Sequence, residues 1–211
     1  MLDRIQWFGH GSFSINTTPR IYINPRRIPR TEELADIILL SHHHHDHFSP
    51  ADVEKLAGPH TLIMGNERVA RELSRCTVLR PWQSVSFGRV CVKAVPAYSP
   101  KDSRHPREDG GLGFVISVNF YDIYYAGDTQ TISEMAQIHP DIALLPIDGR
   151  GTLNVSEAAE VARYMRPRWV IPYNWGSSVS GANRIDAQRL AHEVNGASEV
   201  VIPGAALASA V

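Results

Sequence analysis

The sequence predicts an α/β (α+β) fold in which sheets and helices are layered on one another. Three observations carry this. Residues 4–24 read as short strands broken by turn residues. From residue 36 onward, apolar strand-like runs alternate with capped helical segments, as in an α/β layer. Residues 84–95 and 112–126 each read as a hairpin. With 211 residues, 43% of them hydrophobic, the chain can bury a sizeable core and fits one domain over residues 1–211.

The opening strands are Ile5-Gln6-Trp7-Phe8, Ser12-Phe13-Ser14-Ile15 and Arg20-Ile21-Tyr22-Ile23, joined by Gly-His-Gly and Asn-Thr-Thr-Pro turns into an antiparallel meander. Asp36-Ile37-Ile38-Leu39-Leu40 is a near-continuous apolar run, the mark of a buried strand. Ser49 and Pro50 read as the N-cap and first residue of a helix over 50–56, followed by a strand over 61–64 and a helix over 67–74. Gly88 turns the first hairpin. Residues 97–111 are polar and turn-rich, and a loop this long inside a compact domain is usually functional or mobile. A short helix over 132–138 and a buried strand over 141–147 come next. Asn154-Val155-Ser156-Glu157 matches a capping box for a helix reaching 165. The chain closes with a strand over 169–172, a helix over 186–194 with Ala187, Leu190, Ala191 and Val194 on one face, and a strand over 199–202. The tail from 204 to 211 is expected to fray. There is no internal repeat.

A formal net charge of −1 without long like-charge runs argues against a broad nucleic-acid footprint. Two cysteines, Cys76 and Cys91, lack metal-ribbon spacing and read as small buried residues. No apolar signal region opens the chain and no run is long enough to span a bilayer, so the expectation is a soluble, cytoplasmic protein without membrane partners. Association into a homo-oligomer is left open.

The stretch Ser41-His42-His43-His44-His45-Asp46-His47 follows the apolar run and precedes the capped helix. In an extended segment His42 and His44 project to the same side, where two imidazoles can share one cation. Asp46 and His47 fall where the chain turns into the helix, so they can aim at a neighbouring position, and two adjacent metal sites become possible. His43 and His45 occupy spacer positions. A purification tag would sit at a terminus and a solvated polyhistidine run would not be interrupted by a carboxylate between a strand and a cap.

His-x-His-x-Asp-His resembles the signature of the metallo-β-lactamase superfamily. Trp7-Phe8-Gly9-His10-Gly11-Ser12-Phe13, Ile23-Asn24-Pro25, Ala126-Gly127-Asp128-Thr129 and Ile171-Pro172-Tyr173-Asn174-Trp175-Gly176 fall in the order of its L-ascorbate 6-phosphate lactonase-like branch. The resemblance implies a four-layer αββα sandwich with one or two metal ions at the edge between its sheets. It implies that Asp128 bridges the two metals and that a third histidine completes the first site. Relatives place that histidine near Pro96-Ala97-Tyr98, where this chain has Ser99; His105-Pro106 with Gly110-Gly111 resembles an alternative pattern, so His105 is the candidate. Two residues depart from the family. Asn174 stands where relatives carry the final metal-binding histidine, and Asn24 replaces an aspartate. An amide oxygen is a weaker ligand than imidazole, so a second site of Asp46, His47, Asp128 and Asn174 is expected to bind loosely and to suit Mn²⁺, Mg²⁺ or Fe²⁺ relatively better than zinc. Among the remaining histidines, His10 is expected near the cleft rim, and His60, His139 and His192 read as surface or satisfied residues.

The resemblance thus implies a metal-dependent hydrolase carrying one or two divalent ions, zinc or manganese, whose metal-bound hydroxide attacks a lactone, ester or phosphoester. Asp46 and Asp128 are the candidate catalytic residues. Tyr98, Arg104, Arg150, Tyr173 and Trp175, with Lys101 and Arg107 nearby, are candidates to hold a small anionic substrate. A non-catalytic metal- or ligand-binding protein on a degenerate site is the rival, motivated by Asn24, Ser99 and Asn174. A nuclease is disfavoured by the near-neutral charge.

Overall fold

The computed structural model describes residues 1–29, 31 and 33–204. The meander forms as read: β1 (Ile5–Gly9), β2 (Ser12–Ile15) and β3 (Ile21–Ile23) pair antiparallel. β4 (Ala35–Leu40), β5 (Ala57–Gly65) and β6 (Thr77–Val78) extend the sheet in parallel, giving the order β1-β2-β3-β4-β5-β6. The second sheet starts from the two hairpins, β7 (Ser84–Phe87) with β8 (Val90–Pro96) and β9 (Leu112–Val118) with β10 (Tyr121–Tyr125). It continues in parallel through β11 (Ile142–Pro146), β12 (Trp169–Tyr173) and β13 (Glu199–Val200), in the order β13-β12-β11-β10-β9-β8-β7.

Side chains alternate along the central strands with the period of two that a strand imposes. Ile37 and Leu39 of β4 join Phe13, Ile23, Phe114 and Tyr125 in the core between the sheets. Ile38 and Leu40 face the other way, onto Phe48, Val53, Leu56 and Val69, the apolar positions beside and within α1 (Pro50–Leu56) and α2 (Glu67–Glu72). On the far side, α3 (Val155–Met165) and α4 (Arg184–Glu193) pack on each other and reach β11 and β13. The layering is therefore helix, sheet, sheet, helix.

Caps set the helix boundaries. Ser49 accepts from the Asp52 amide, with Pro50 in the first turn, and the Asn154–Glu157 capping box forms at α3. A second box, Asn183 with Asp186, starts α4 two residues ahead of the expected position. β5 runs longer than expected because Thr61 Oγ1 donates to the Ala35 carbonyl and accepts from the Gly58 amide, holding Gly58 and Pro59 along β4 despite their poor strand propensity. The expected helix over 132–138 is a 3₁₀ segment, Ser133–Gln137. Residues 205–211 of the tail lie outside the described residues. Among the described residues, no helix is long and apolar enough to cross a membrane.

Candidate metal centre

Five segments end at one edge of the sandwich. The histidine stretch follows β4, Asn24 follows β3, Asp128 follows β10 and Asn174 follows β12, at the C-terminal ends of strands with parallel neighbours, where ligand crevices form in such sheets. The β1–β2 turn brings His10. The sheets are tied here by Leu112 N–H to Ser41 O (2.9 Å), by Asn24 Nδ2–H to Tyr125 Oη (2.9 Å) and by Tyr125 Oη–H to Gly11 O (3.1 Å). Gly127 has φ +72°, and a Cβ there would overlap the Leu112 carbonyl, so the turn that delivers Asp128 requires glycine.

His42, His44 and His105 present one ligand atom each within 4.8 Å of one another, their ring centroids 4.8 to 5.4 Å apart. They line a gap of about 10 Å³, room for a single ion or water. Two ring orientations are fixed from behind. His42 Nδ1 lies 2.9 Å from Ser41 Oγ, which also accepts from Asn24 Nδ2 (2.8 Å). His105 Nδ1 donates to the Gly151 carbonyl (3.0 Å), leaving Nε2 as the free lone pair, the arrangement common to ligand histidines. Ser99 is buried and donates to that same carbonyl, so it supports His105 from behind and is not itself at the metal position. Asn24 retains an orienting role through Ser41, in place of the carboxylate expected at that position.

His10, Asp46 and His47 form a second set, and His42, His47 and Asp128 link the two. Asp128 is buried and divides its oxygens: Oδ2 lies 3.3 Å from His105 Nε2 and 3.7 Å from His42 Nε2, while Oδ1 lies 3.3 Å from His47 Nε2. Two ligands held at about 2.0–2.1 Å on a tetrahedral ion are about 3.4 Å apart, so these separations suit shared cations. The buried nitrogens His42 Nε2 and His47 Nε2 and the side-chain oxygen of Asn174 have no hydrogen-bond partner among the described residues. Buried polar atoms are rarely left so, and donors of this kind fit a divalent cation. Asn174 donates through Nδ2 to Asp128 Oδ1 (3.0 Å).

The electrostatics differ between the sets. Burial and the neighbouring His47 push His42 well below the ordinary imidazole value, and burial with His105 lowers His44. Burial opposes charge on His47 too, but the carboxylates of Asp128 and Asp46 win and raise it. Burial would raise Asp128, yet His47, His42 and His105 hold it at about 2, and Asp46 is likewise depressed, against burial, by hydrogen bonds to His10 and His47. Without a cation, His42 and His44 therefore stay neutral as pH falls through 6.5, whereas His47 carries a proton that uptake at the second position must displace. We expect metal to leave in two stages on acidification. The ion at the Asp46–His47 position goes first, and the ion at the three-histidine position follows at lower pH. Equilibrium dialysis at stepped pH with elemental analysis checks this, and simultaneous loss of both ions would contradict it.

An open cleft of about 520 Å³ lies over the cluster, lined by His44, His45, Asp46, Arg104, His105, Asp128, Asp148 and Arg150 among others. Arg104 and Arg150 thus reach the cleft. Three expected substrate contacts do not. Tyr173 is fully buried, its hydroxyl donating to the Gly127 carbonyl (2.7 Å); Trp175 packs on Trp7 and donates to the Pro172 carbonyl; Tyr98 donates to Glu134 beneath the Arg107 guanidinium. β12 turns Tyr173 inward, a choice of sheet face that local sequence does not reveal. Sequence reasoning missed Asp148, whose Asp-Gly context reads as an ordinary turn; burial and Asp128 raise its carboxyl, and Thr152 donates to it. His10 was expected at the rim and is instead buried, with Nε2 3.2 Å from Asp46 Oδ2.

A helix–sheet–sheet–helix sandwich with a buried aspartate lying between two imidazole sets at its edge defines a hydrolase of the metallo-β-lactamase superfamily. The comparisons agree. The family model described as a beta-lactamase superfamily domain matches residues 4–174, and the chain belongs to that family. It is 30% identical over 190 residues to a UPF0173 metal-dependent hydrolase of Thermococcus onnurineus, covering 82% of this chain and 85% of that protein. A Methanoregula boonei protein of the same name is 31% identical over 85% of this chain and 86% of its own. A crystal structure from Parabacteroides distasonis superposes with TM-score 0.81 at 30% identity, over 94% of this chain and 91% of the other. A metallo hydrolase of Ignicoccus hospitalis shares the fold at 21% identity and TM-score 0.74, over 94% and 93%.

Proposed function

We propose that the chain hydrolyses an ester-type bond, in a lactone, carboxylic ester or phosphoester, of a small anionic substrate. The observation that carries this is the cleft, which places Arg104 and Arg150 beside the cluster. The two cations are not equivalent. Arg104 is neutralised by Asp102 through paired contacts of 3.0 and 2.8 Å. Arg150 is anchored by one bond to the Val179 carbonyl (3.0 Å) and has no carboxylate partner among the described residues, which leaves its fork for a phosphate or carboxylate.

His42, His44, His105, Asp46, His47 and Asp128 are the residues that would hold a divalent ion, zinc or manganese in our reading, which when bound would acidify a water and polarise the bond to be cleaved. The protein's own groups do the rest. Asp46, held ionised, accepts a proton at its Oδ atoms and orients the attacking group. Asp148, whose carboxyl favours its proton more than an ordinary aspartate does, stands at the cleft wall to deliver one to the leaving oxygen. A panel of lactones, phosphomonoesters and phosphodiesters, assayed with the zinc- and manganese-loaded protein, tests the reading. Hydrolysis of an anionic member is expected, with Arg150→Ala raising KM about tenfold for it and leaving neutral esters unchanged. No turnover of any class by fully loaded protein would overturn the hydrolytic reading.

A further inference from the structure

We propose that His10 supplies the second imidazole of the Asp46–His47 metal position, in place of the one missing at Asn174, so that the chain holds two cations. The inference rests on the reading of the cluster as a metal centre. His10 and Asn174 enter the same corner from opposite sheets: the Asn174 amide donates to the His10 carbonyl at 3.4 Å. The Asn174 side chain turns its Nδ2 to Asp128, and the His10 ring fills the adjoining space, its centroid 4.7 Å from that of His47.

His10, Asp46 and His47 hold their ligand atoms within 4.8 Å of one another, and Nε2 of His10 lies 3.2 Å from Asp46 Oδ2, a separation suited to two ligands on one ion. His47 faces Asp46 Oδ1 through Nδ1 (3.5 Å) and Asp128 Oδ1 through Nε2 (3.3 Å), so a cation on the Nδ1 side would have two imidazoles and the Asp46 carboxylate. That donor set favours a transition-metal ion far more than one in which an amide replaces an imidazole. The backbone shows that His10 is held there. It sits at φ +48°, a strained conformation for a residue with a side chain, and its carbonyl is clamped by Trp7 Nε1 at 2.7 Å. Unlike His42 and His105, its Nδ1 has no partner among the described residues, so none of them braces the ring from behind. The second ion is accordingly held less firmly than the first and leaves first on chelation.

The test loads protein carrying isotope-labelled histidine nitrogens with an NMR-active cadmium isotope. Two cadmium signals are expected, one of them coupled through a single bond to His10. His10→Ala, or His10→Gln if alanine does not fold, is expected to remove that signal and to weaken the second cation more than about 100-fold, beyond the usual effect of losing an outer-sphere partner. The wild-type coupling needs no variant. Two cadmium ions with His10 uncoupled would overturn this inference alone, as would a single ion held without His10. Failure to bind any cadmium would instead remove the metal-centre reading on which it stands.

Discussion

Asp128→Asn is expected to lower metal content at both positions and to reduce hydrolysis by more than about 10²-fold. Mutating an outer-sphere partner of a metal ligand already costs about 10–100-fold, and Asp128 faces the ligands directly. One of its oxygens faces His105 and His42, the other His47 and Asn174. Asparagine keeps the shape but loses the charge and offers a single acceptor oxygen, so it can serve only one side. It also removes the carboxylate that contributes most to keeping buried His47 charged, which disfavours the imidazolium there. Elemental analysis after dialysis, alongside hydrolysis rates, measures both effects. Unchanged stoichiometry would mean that Asp128 is not shared.

Gly11→Ala is expected to strip the second position while sparing the first. A Cβ on Gly11 would overlap the His47 ring at Nε2 and approach Tyr125 Oη to 2.8 Å. His47 is fully buried, and Tyr125 also holds the Gly11 carbonyl and Asn24, so neither can give way without breaking a contact of the centre. Overpacking of this kind typically costs about 1–3 kcal/mol of stability. Urea unfolding should show that loss, and metal analysis should fall by one ion, because the nearest atoms a Gly11 Cβ would meet belong to His47 and Tyr125 and not to His42, His44 or His105. A variant that keeps both ions and full stability would show that His47 has room to move.

The layers were legible in the sequence because their signals are local. The run from Ile37 to Leu40 is apolar at every position since β4 is covered on both faces, and Ser49-Pro50 and Asn154-x-x-Glu157 mark helix starts by their own hydrogen bonds. The His-x-His pair and Asp128 were legible through spacing and order. What escaped depends on contacts between distant segments. His10 lies in a Gly-His-Gly turn, and it is buried where the segment after β12 and the histidine stretch meet that turn. Tyr173 and Trp175 adjoin Asn174 in sequence, yet one points into the core and the other stacks on Trp7. Asn24 and Asn174 read as weakened family positions on chemistry alone. Both adopt positive φ, 46° and 58°, a conformation that asparagine tolerates better than most residues, so the backbone also favours the amide there.

Crystals of zinc-loaded protein measured at the zinc absorption edge would locate the cations directly. An anomalous peak is expected about 2.0–2.1 Å from the imidazole nitrogens of His42, His44 and His105. The Asp128 carboxylate should stand between it and a weaker peak beside Asp46 and His47. Peaks elsewhere, or these three imidazoles turned away from a common point in fully loaded protein, would contradict that placement.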